Sequence, residues 1–336
     1  MCIRDSIGIE LGVYFSFQEQ DKNSNGTIER EEWAKGIFSL VDSNRNDLIS
    51  KSELREFIRG YSRDFSWVNE VNEKFDLPAQ LKKGTFTSAS MNLPVGYYIY
   101  IPDIYFENPN RRFRSVYYLH GGRPGNEARS VYISNFLEDI MSDTSIEPAL
   151  YIFVNGGELS HYNSKEKNSF GEDIFINELI PFIDKEYRTI STRNARGLEG
   201  FSQGGRGATR YMFKYPELFG TVAAGGASYM MEKLIQDNKG IEDDPRDNDE
   251  AIYYVGEGND AWSLAKIHVD SGKRTPKLLL WSGKEDMNFK SIEEYSSYLE
   301  KFSIGHDFLA IEGIDHNPFL FYEKAGERLI RFHQEN

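Results

Sequence analysis

Cysteine is nearly absent: Cys2 is the only one in 336 residues. That excludes an internal disulfide, a cysteine zinc cluster and a buried thiol nucleophile. Long apolar runs are missing as well. No stretch approaches the roughly 18 uninterrupted apolar residues of a membrane span. The only such run near the start, Ile7 to Phe17, is broken by Glu10. Positive charge is in deficit, with 39 Lys and Arg against 53 Asp and Glu, so 39 − 53 = −14. Such a field repels phosphate backbones and anionic lipid surfaces, so neither nucleic acid nor membrane is an expected partner. The opening residues carry no secretion signal. Met1 to Ser6 reads as a translated sequencing-adapter stretch. Residues 1–9 are therefore expected to be a non-native start, in place of the leader of a secreted or periplasmic protein.

What is present is apolar bulk: 39% hydrophobic and 14% aromatic residues can bury a sizeable core. The length exceeds one typical domain, which suggests a large catalytic-size domain joined to a smaller one.

The smaller one carries a repeat. Residues 21–32 read Asp-Lys-Asn-Ser-Asn-Gly-Thr-Ile-Glu-Arg-Glu-Glu, the oxygen-rich spacing of an EF-hand calcium loop. A hard cation needs six to eight oxygens in a flexible cage. Asp21, Asn23 and Asn25 supply side-chain oxygens, Thr27 its carbonyl, Glu29 a water-mediated contact and Glu32 two oxygens. Gly26 permits the sharp turn. A second copy offers Asp42, Asn44, Asn46, Leu48 through its carbonyl, Ser50 and Glu53, but has Asp47 where glycine is expected. Asp tolerates left-handed backbone better than most residues, so this loop is also expected to close. Ile28 and Ile49 occupy equivalent positions, where paired EF-hands make a short strand contact. A single Asn-rich, Asp-rich segment would be read as a turn, and two in-phase copies argue for calcium. The ion is expected to be structural and weakly held, as suits calcium-rich surroundings outside a cell.

The expected organisation is an EF-hand pair over residues 10–60, a linker over 61–82 with a connecting helix, and a large domain over 83–336. In the large domain strand-like runs (Thr85 to Met91, Tyr97 to Ile101, Ser115 to His120, Leu150 to Val154, Gly197 to Phe201, Thr221 to Ala224, Lys277 to Trp281, Phe308 to Ile311) alternate with helical stretches. That alternation implies a mostly parallel sheet covered on both faces.

The chemical signal is Gly200-Phe201-Ser202-Gln203-Gly204-Gly205. An expected strand enters this Gly-x-Ser-x-Gly and an expected helix, Gly207 to Tyr215, leaves it, the context of a nucleophile elbow. A serine in so tight a turn needs neighbours without side chains. The order Ser, acid, His leaves His316 among the six histidines, because it lies in a loop just after the last expected strand. The loop Ser282 to Asp286 offers two carboxylates; Asp286 is preferred and Glu285 is the alternative. The oxyanion needs two backbone amides. Gln203 supplies one and the His120-Gly121-Gly122 loop the other, with Gly122 the preferred donor. Arg123 is the alternative, or its guanidinium faces an anionic or hydroxylated substrate.

These phrases, with Tyr100-Ile101-Pro102, Tyr118 to Gly122, Glu178 to Ile183, Tyr215 to Gly220 and Gly313 to Asn317, resemble the esterase branch of the α/β hydrolases. That branch includes esterase D, feruloyl and acetyl-xylan esterases, enterochelin esterases and mycolyltransferases. The resemblance covers Thr85 to about Arg331. It implies a Ser202, Asp286, His316 triad, acyl-enzyme chemistry and no organic cofactor. The calcium module lies outside it. The expected fold class is thus α/β, an α/β-hydrolase mostly parallel sheet with helices on both faces, plus a small N-terminal all-α EF-hand-like module.

The expected function is a secreted serine esterase. Its partner would be an ester substrate, either on acylated polysaccharide, and so carbohydrate-linked, or an aryl ester. Acyl transfer to a sugar, or carbohydrate binding by an inactive hydrolase fold, are the rival readings. Tyr229, Tyr253, Tyr254 and Trp262 dot the long segment Ser228 to Arg274. Either Trp262 lines a pocket with Arg123, His161 and Tyr162, or these aromatics pack a small core of their own.

Overall fold

The computed structural model describes residues 13–14, 17–33, 38–42, 45–54, 65–71, 77–243 and 252–335. Two compact units divide the chain, Met1–Phe65 with Glu70–Leu77, and Ser66–Asn69 with Pro78–Asn336.

In the smaller unit, β1 (Thr27–Glu29) pairs antiparallel with β2 (Leu48–Ser50), placing Ile28 opposite Ile49. Both isoleucines are fully buried in a small core with Val13, Phe17, Phe38, Val41 and Leu54. Short helical turns at Phe38–Val41 and residues 51–54 flank the pair. Asn44 and residues 60–64 and 72–76 of the expected connecting segment lie outside the described residues, and the described residues 65–71 are not helical.

The larger unit runs β3 (Leu81–Ser88), β4 (Leu93–Tyr100), β5 (Arg114–Leu119), α1 (Ile133–Met141) and β6 (Ala149–Val154). A hairpin of β7 (Asn163–Ser164) and β8 (Ser169–Phe170), and a π-helical stretch Ile174–Leu179, lead to α2 (Ile180–Glu186). Then come β9 (Arg196–Phe201), α3 (Gln203–Lys214), β10 (Thr221–Gly225), α4 (Tyr229–Asp237), and a hairpin of β11 (Ile241–Asp243) and β12 (Ile252–Tyr254). The chain ends with α5 (Ala261–Ser271), β13 (Lys277–Gly283), α6 (Phe289–Lys301), β14 (Asp307–Ile311) and α7 (Pro318–Phe332).

Eight strands form one sheet in the order β14-β13-β10-β9-β5-β6-β4-β3. Only the β3-β4 and β4-β6 pairs are antiparallel. Strands β6, β9 and β10 are buried along their whole length, as expected for parallel strands covered on both faces. Their side chains alternate. Tyr117, Ile152, Leu198, Val222 and Leu280 share a core with Tyr211, Met212, Ile292 and Tyr295 from α3 and α6. On the other face Trp281 stacks on Phe201 at 5.3 Å and packs on Phe321 of α7 at 4.4 Å. Each such fully buried side chain is worth about 1.5–3 kcal/mol.

This order creates a crevice. The chain leaving β5 goes through α1 to β6 on one side, and the chain leaving the adjacent β9 goes through α3 to β10 on the other. Open α/β sheets bind ligands at such a switch point, outside the carboxyl ends of the strands.

Strands β3 and β4 and helix α3 start earlier than the sequence reading places them, β4 at Leu93 rather than Tyr97. β3 begins at Leu81 rather than Thr85, because Leu81 to Lys83 pair with Tyr98 to Tyr100; their polarity conceals the strand. Helix α3 begins at Gln203 rather than Gly207, its start masked by glycines of low helix propensity.

Candidate active site

Ser202 sits between β9 and α3 with φ 60° and ψ −116°. A non-glycine residue there is strained by about 1–3 kcal/mol, and its neighbours must be bare. A Cβ on Gly200 would come within 2.4 Å of Gly204 backbone, one on Gly204 within 2.0 Å of Leu119 O, and one on Gly205 within 2.4 Å of Gly225 O. The Ser202 N–H donates to Gly225 O at 2.8 Å, tying the turn to β10.

The loops after β13 and β14 converge on it. Ser202 Oγ donates to His316 Nε2 at 3.0 Å, and His316 Nδ1 donates to Asp286 Oδ2 at 2.8 Å and Oδ1 at 2.9 Å. The Asp286 side chain is 0% exposed and that of His316 23%, so the chain of bonds runs from the interior to the crevice. Asp286 also accepts from the Asn288 N–H at 2.7 Å, and Asn288 Nδ2 donates to Gly226 O at 2.9 Å. The imidazole rests on Phe201, ring centres 4.6 Å apart. Behind it Asn317 caps α7 by accepting from Phe319 and Leu320 N–H, with Pro318 in the first turn, a strong helix start. Glu285 points elsewhere and accepts the Ile314 N–H at 2.9 Å. Hydrogen bonds from the Gly313 and Ile314 backbone hold its carboxyl below the usual range.

Gly121 lies against the turn, since a Cβ there would meet Ser202 Cβ at 3.3 Å. Gly122 follows at φ 76°. Among the described residues the N–H groups of Gly121, Gly122, Arg123 and Gln203 have no protein acceptor, so donors stand free on both sides of Ser202.

Behind α3 is a buried ion network that sequence reasoning missed. Arg206 pairs with Glu232 of α4 at 2.6 Å and with Glu242 of β11 at 2.9 Å, and Arg123 pairs with Glu242 at 2.6 Å. Burial alone would raise the Glu242 carboxyl, but Arg123 and Arg206 outweigh it and hold it at about 2. The available signal was the spacing of Arg206 and Arg210, which share one face of a helix otherwise rich in small and apolar residues.

Of the expected pocket residues, His161 and Tyr162 are interior. Tyr162 is fully buried, its hydroxyl donating to Glu232 at 2.8 Å, and His161 Nε2 donates to His120 O at 2.9 Å. Trp262 packs on Tyr295 and Tyr298 and donates to Tyr229 O. His161 and Tyr162 are buried, and Trp262 is half-buried against the main core. Arg123 has an 11% exposed side chain lying near the rings of Tyr162 and Tyr253. His120 and His161 face each other at 4.4 Å. Burial pushes His120 down to about 3 and His161 well below its ordinary value.

In the smaller unit, both loops turn carboxylates inward. Asp21 accepts from the Asn25 and Gly26 N–H, and Glu32 from those of Lys22, Asn23 and Glu29. Asp42 accepts from the Asn46 and Asp47 N–H, and Glu53 from Ser50 N–H and Oγ. Gly26 and Asp47 share left-handed backbone, at φ 86° and 61°. Among the described residues neither Lys nor Arg pairs with Asp21, Glu32 or Asp42. Glu32 and Asp42 are nonetheless buried, and buried carboxylates without a cation are costly, which fits a hard cation. Among the described residues no three His, Cys, Asp or Glu side chains gather into a metal-holding group. An ion would therefore depend on amide and carbonyl oxygens too.

A mostly parallel sheet with a serine at a strand-to-helix turn is the architecture of the α/β hydrolases. The chain belongs to the Esterase family, whose model matches residues 88–308. It is similar to an esterase of Mycobacterium tuberculosis, 28% identical over 134 residues, or 39% of this chain and 28% of that protein. It also resembles an endo-1,4-β-xylanase/feruloyl esterase of Xylanibacter ruminicola, 25% identical over 169 residues, or 47% of this chain and 22% of that one. The matches thus span less than a third of these relatives. In fold it is similar to the fluorophosphonate-binding serine hydrolase FphF of Staphylococcus aureus, with TM-score 0.63, 18% identity, and coverage of 76% of this chain and 98% of that one.

Two expectations follow. Below pH 6.5 the unfolded chain protonates its histidines while folded His120 stays neutral to about 3. The stability from the neutral form is therefore full above 6.5 and lost as pH falls toward 3. Between pH 7 and 5 the loss is about 2 kcal/mol for this histidine, and urea unfolding of His120→Asn is expected to show a shallower slope by that amount. Arg206→Met leaves Glu232 and Glu242 short of a partner and is expected to cost about 3–5 kcal/mol in the same assay.

Proposed function

We propose that the chain hydrolyses carboxylic esters through a Ser202, His316, Asp286 triad. The observation that carries this reading is the continuous hydrogen-bonded path from Asp286 through His316 to the Oγ of a strained, half-buried serine. Ser202 Oγ attacks the ester carbonyl while His316 Nε2 takes its proton. Asp286 holds the other ring nitrogen and stabilises the imidazolium. The N–H of Gln203 and one from the 120–123 loop, that of Gly122 or of Arg123, receive the oxyanion. His316 returns the proton to the departing alcohol, and water then repeats the sequence on the acyl-enzyme. Acylated polysaccharide or aryl esters are the proposed substrates, supported by the feruloyl esterase relative.

The smaller unit is proposed to be an EF-hand pair holding structural calcium. Asp21, Asn23, Asn25, Thr27, Glu29 and Glu32 would hold one ion, and Asp42, Asn46, Leu48, Ser50 and Glu53, with Asn44, the other. The ion would neutralise the inward carboxylates and stabilise this unit by mass action, outside the chemistry.

Ser202→Ala is expected to lower hydrolysis of p-nitrophenyl acetate by at least about a thousandfold with the melting temperature retained. Asp286→Asn should cost far more than Glu285→Gln; the reverse order would give the acid role to Glu285. For calcium, a chelator is expected to lower the melting temperature of the parental protein. In a Glu32→Gln, Glu53→Gln double variant that response should vanish while turnover stays near parental.

A further inference from the structure

Three successive peptide groups beside Ser202 are pinned by their carbonyl oxygens. His120 O accepts from His161 Nε2 at 2.9 Å. Gly121 O accepts from Arg129 Nη1 at 3.2 Å and His120 Nδ1 at 3.1 Å. Gly122 O accepts from Ser160 Oγ at 2.6 Å. In a planar trans peptide the N–H points opposite to the C=O. Fixing these oxygens therefore fixes the direction of the N–H groups of Gly121, Gly122 and Arg123, the groups left without a protein acceptor among the described residues.

Two of the residues that do the pinning are themselves strained. Ser160 and His161 stand in succession at φ 46° and 74°. Left-handed backbone is costly for such residues and persists where its surroundings impose it. His161 O accepts from Arg210 Nη2 at 3.0 Å and the Tyr211 hydroxyl at 2.8 Å, both on α3. The helix that begins at the nucleophile thus holds the 155–161 loop, which holds the 120–123 loop, which lies against the nucleophile.

We propose that Ser160 is a positioning residue for the Arg123 N–H as an oxyanion donor, acting through its hydrogen bond to Gly122 O, the carbonyl of the same peptide. The proposal rests on the esterase reading above and names a group that touches no substrate. Without the hydroxyl, the Gly122–Arg123 peptide is free to rotate, and the Arg123 N–H loses the preorganisation that makes it effective.

The test compares Ser160→Ala, which keeps the backbone strain, with Ser160→Gly, which relieves it. Both are expected to lower kcat on p-nitrophenyl acetate by about 10- to 100-fold, with KM within about twofold and the melting temperature within a few degrees. Parental kcat in both variants overturns the proposal. So does recovery of parental kcat in Ser160→Gly alone, since strain would then be the cause, or a fall in activity that only tracks lost melting temperature. Equal turnover by the parental protein and Ser202→Ala would instead remove the esterase reading. In that case a crystal structure of Ser160→Gly decides: a rotated Gly122–Arg123 peptide supports the proposal, and the parental orientation overturns it.

Discussion

A serine forced into left-handed backbone at the end of a buried parallel strand is the constraint around which the larger unit is arranged. The strain of about 1–3 kcal/mol is held by the sheet on either side, through the Ser202 N–H bond to Gly225 O, and by helix α3 in front. The glycines are consequences of it. Gly204 packs so closely under Leu119 O and His120 O that a methyl group would push the 120–123 loop and Ser202 apart. Sterics at one residue therefore set the distance between that loop and the serine.

Electrostatics hold the same region from behind. Arg206 leaves α3 one turn after Ser202 and meets carboxylates from α4 and β11, while Glu242 reaches on to Arg123 of the 120–123 loop. In a low-dielectric interior such pairs are costly to separate, so the network resists relative movement of these elements. Glu232 also accepts the Tyr162 hydroxyl and the Ala261 N–H. The neutral pair His120 and His161 adds directional hydrogen bonds without further charge.

Local chemistry was legible in the sequence where it was written in consecutive residues. The elbow at Gly200 to Gly205, the His120-Gly121-Gly122 loop and the sheet strands could be read because glycine spacing and apolar runs are local signals. The partnership of Asp286 over Glu285 could not be settled so simply. Adjacent carboxylates look alike in sequence, and only the fold turns one toward His316 and the other toward the Ile314 amide. Ser160, Arg129, Glu232 and Glu242 were invisible because their roles depend on residues far along the chain. His161, Tyr162 and Trp262 attracted attention as aromatics beside loops, yet their ring faces and polar atoms serve packing and internal hydrogen bonds.

The wide chain separation of Ser202, Asp286 and His316 has a kinetic meaning. Ser202 and His316 lie 114 positions apart and join through a single hydrogen bond, and they meet only when β9, β10, β13 and β14 are all in register. Closing loops of that size is entropically slow relative to helix formation. Helices and the β9-α3 turn can thus form early in folding without the three groups meeting. The meeting of imidazole and hydroxyl is a reporter of completed sheet assembly, which local secondary structure is not.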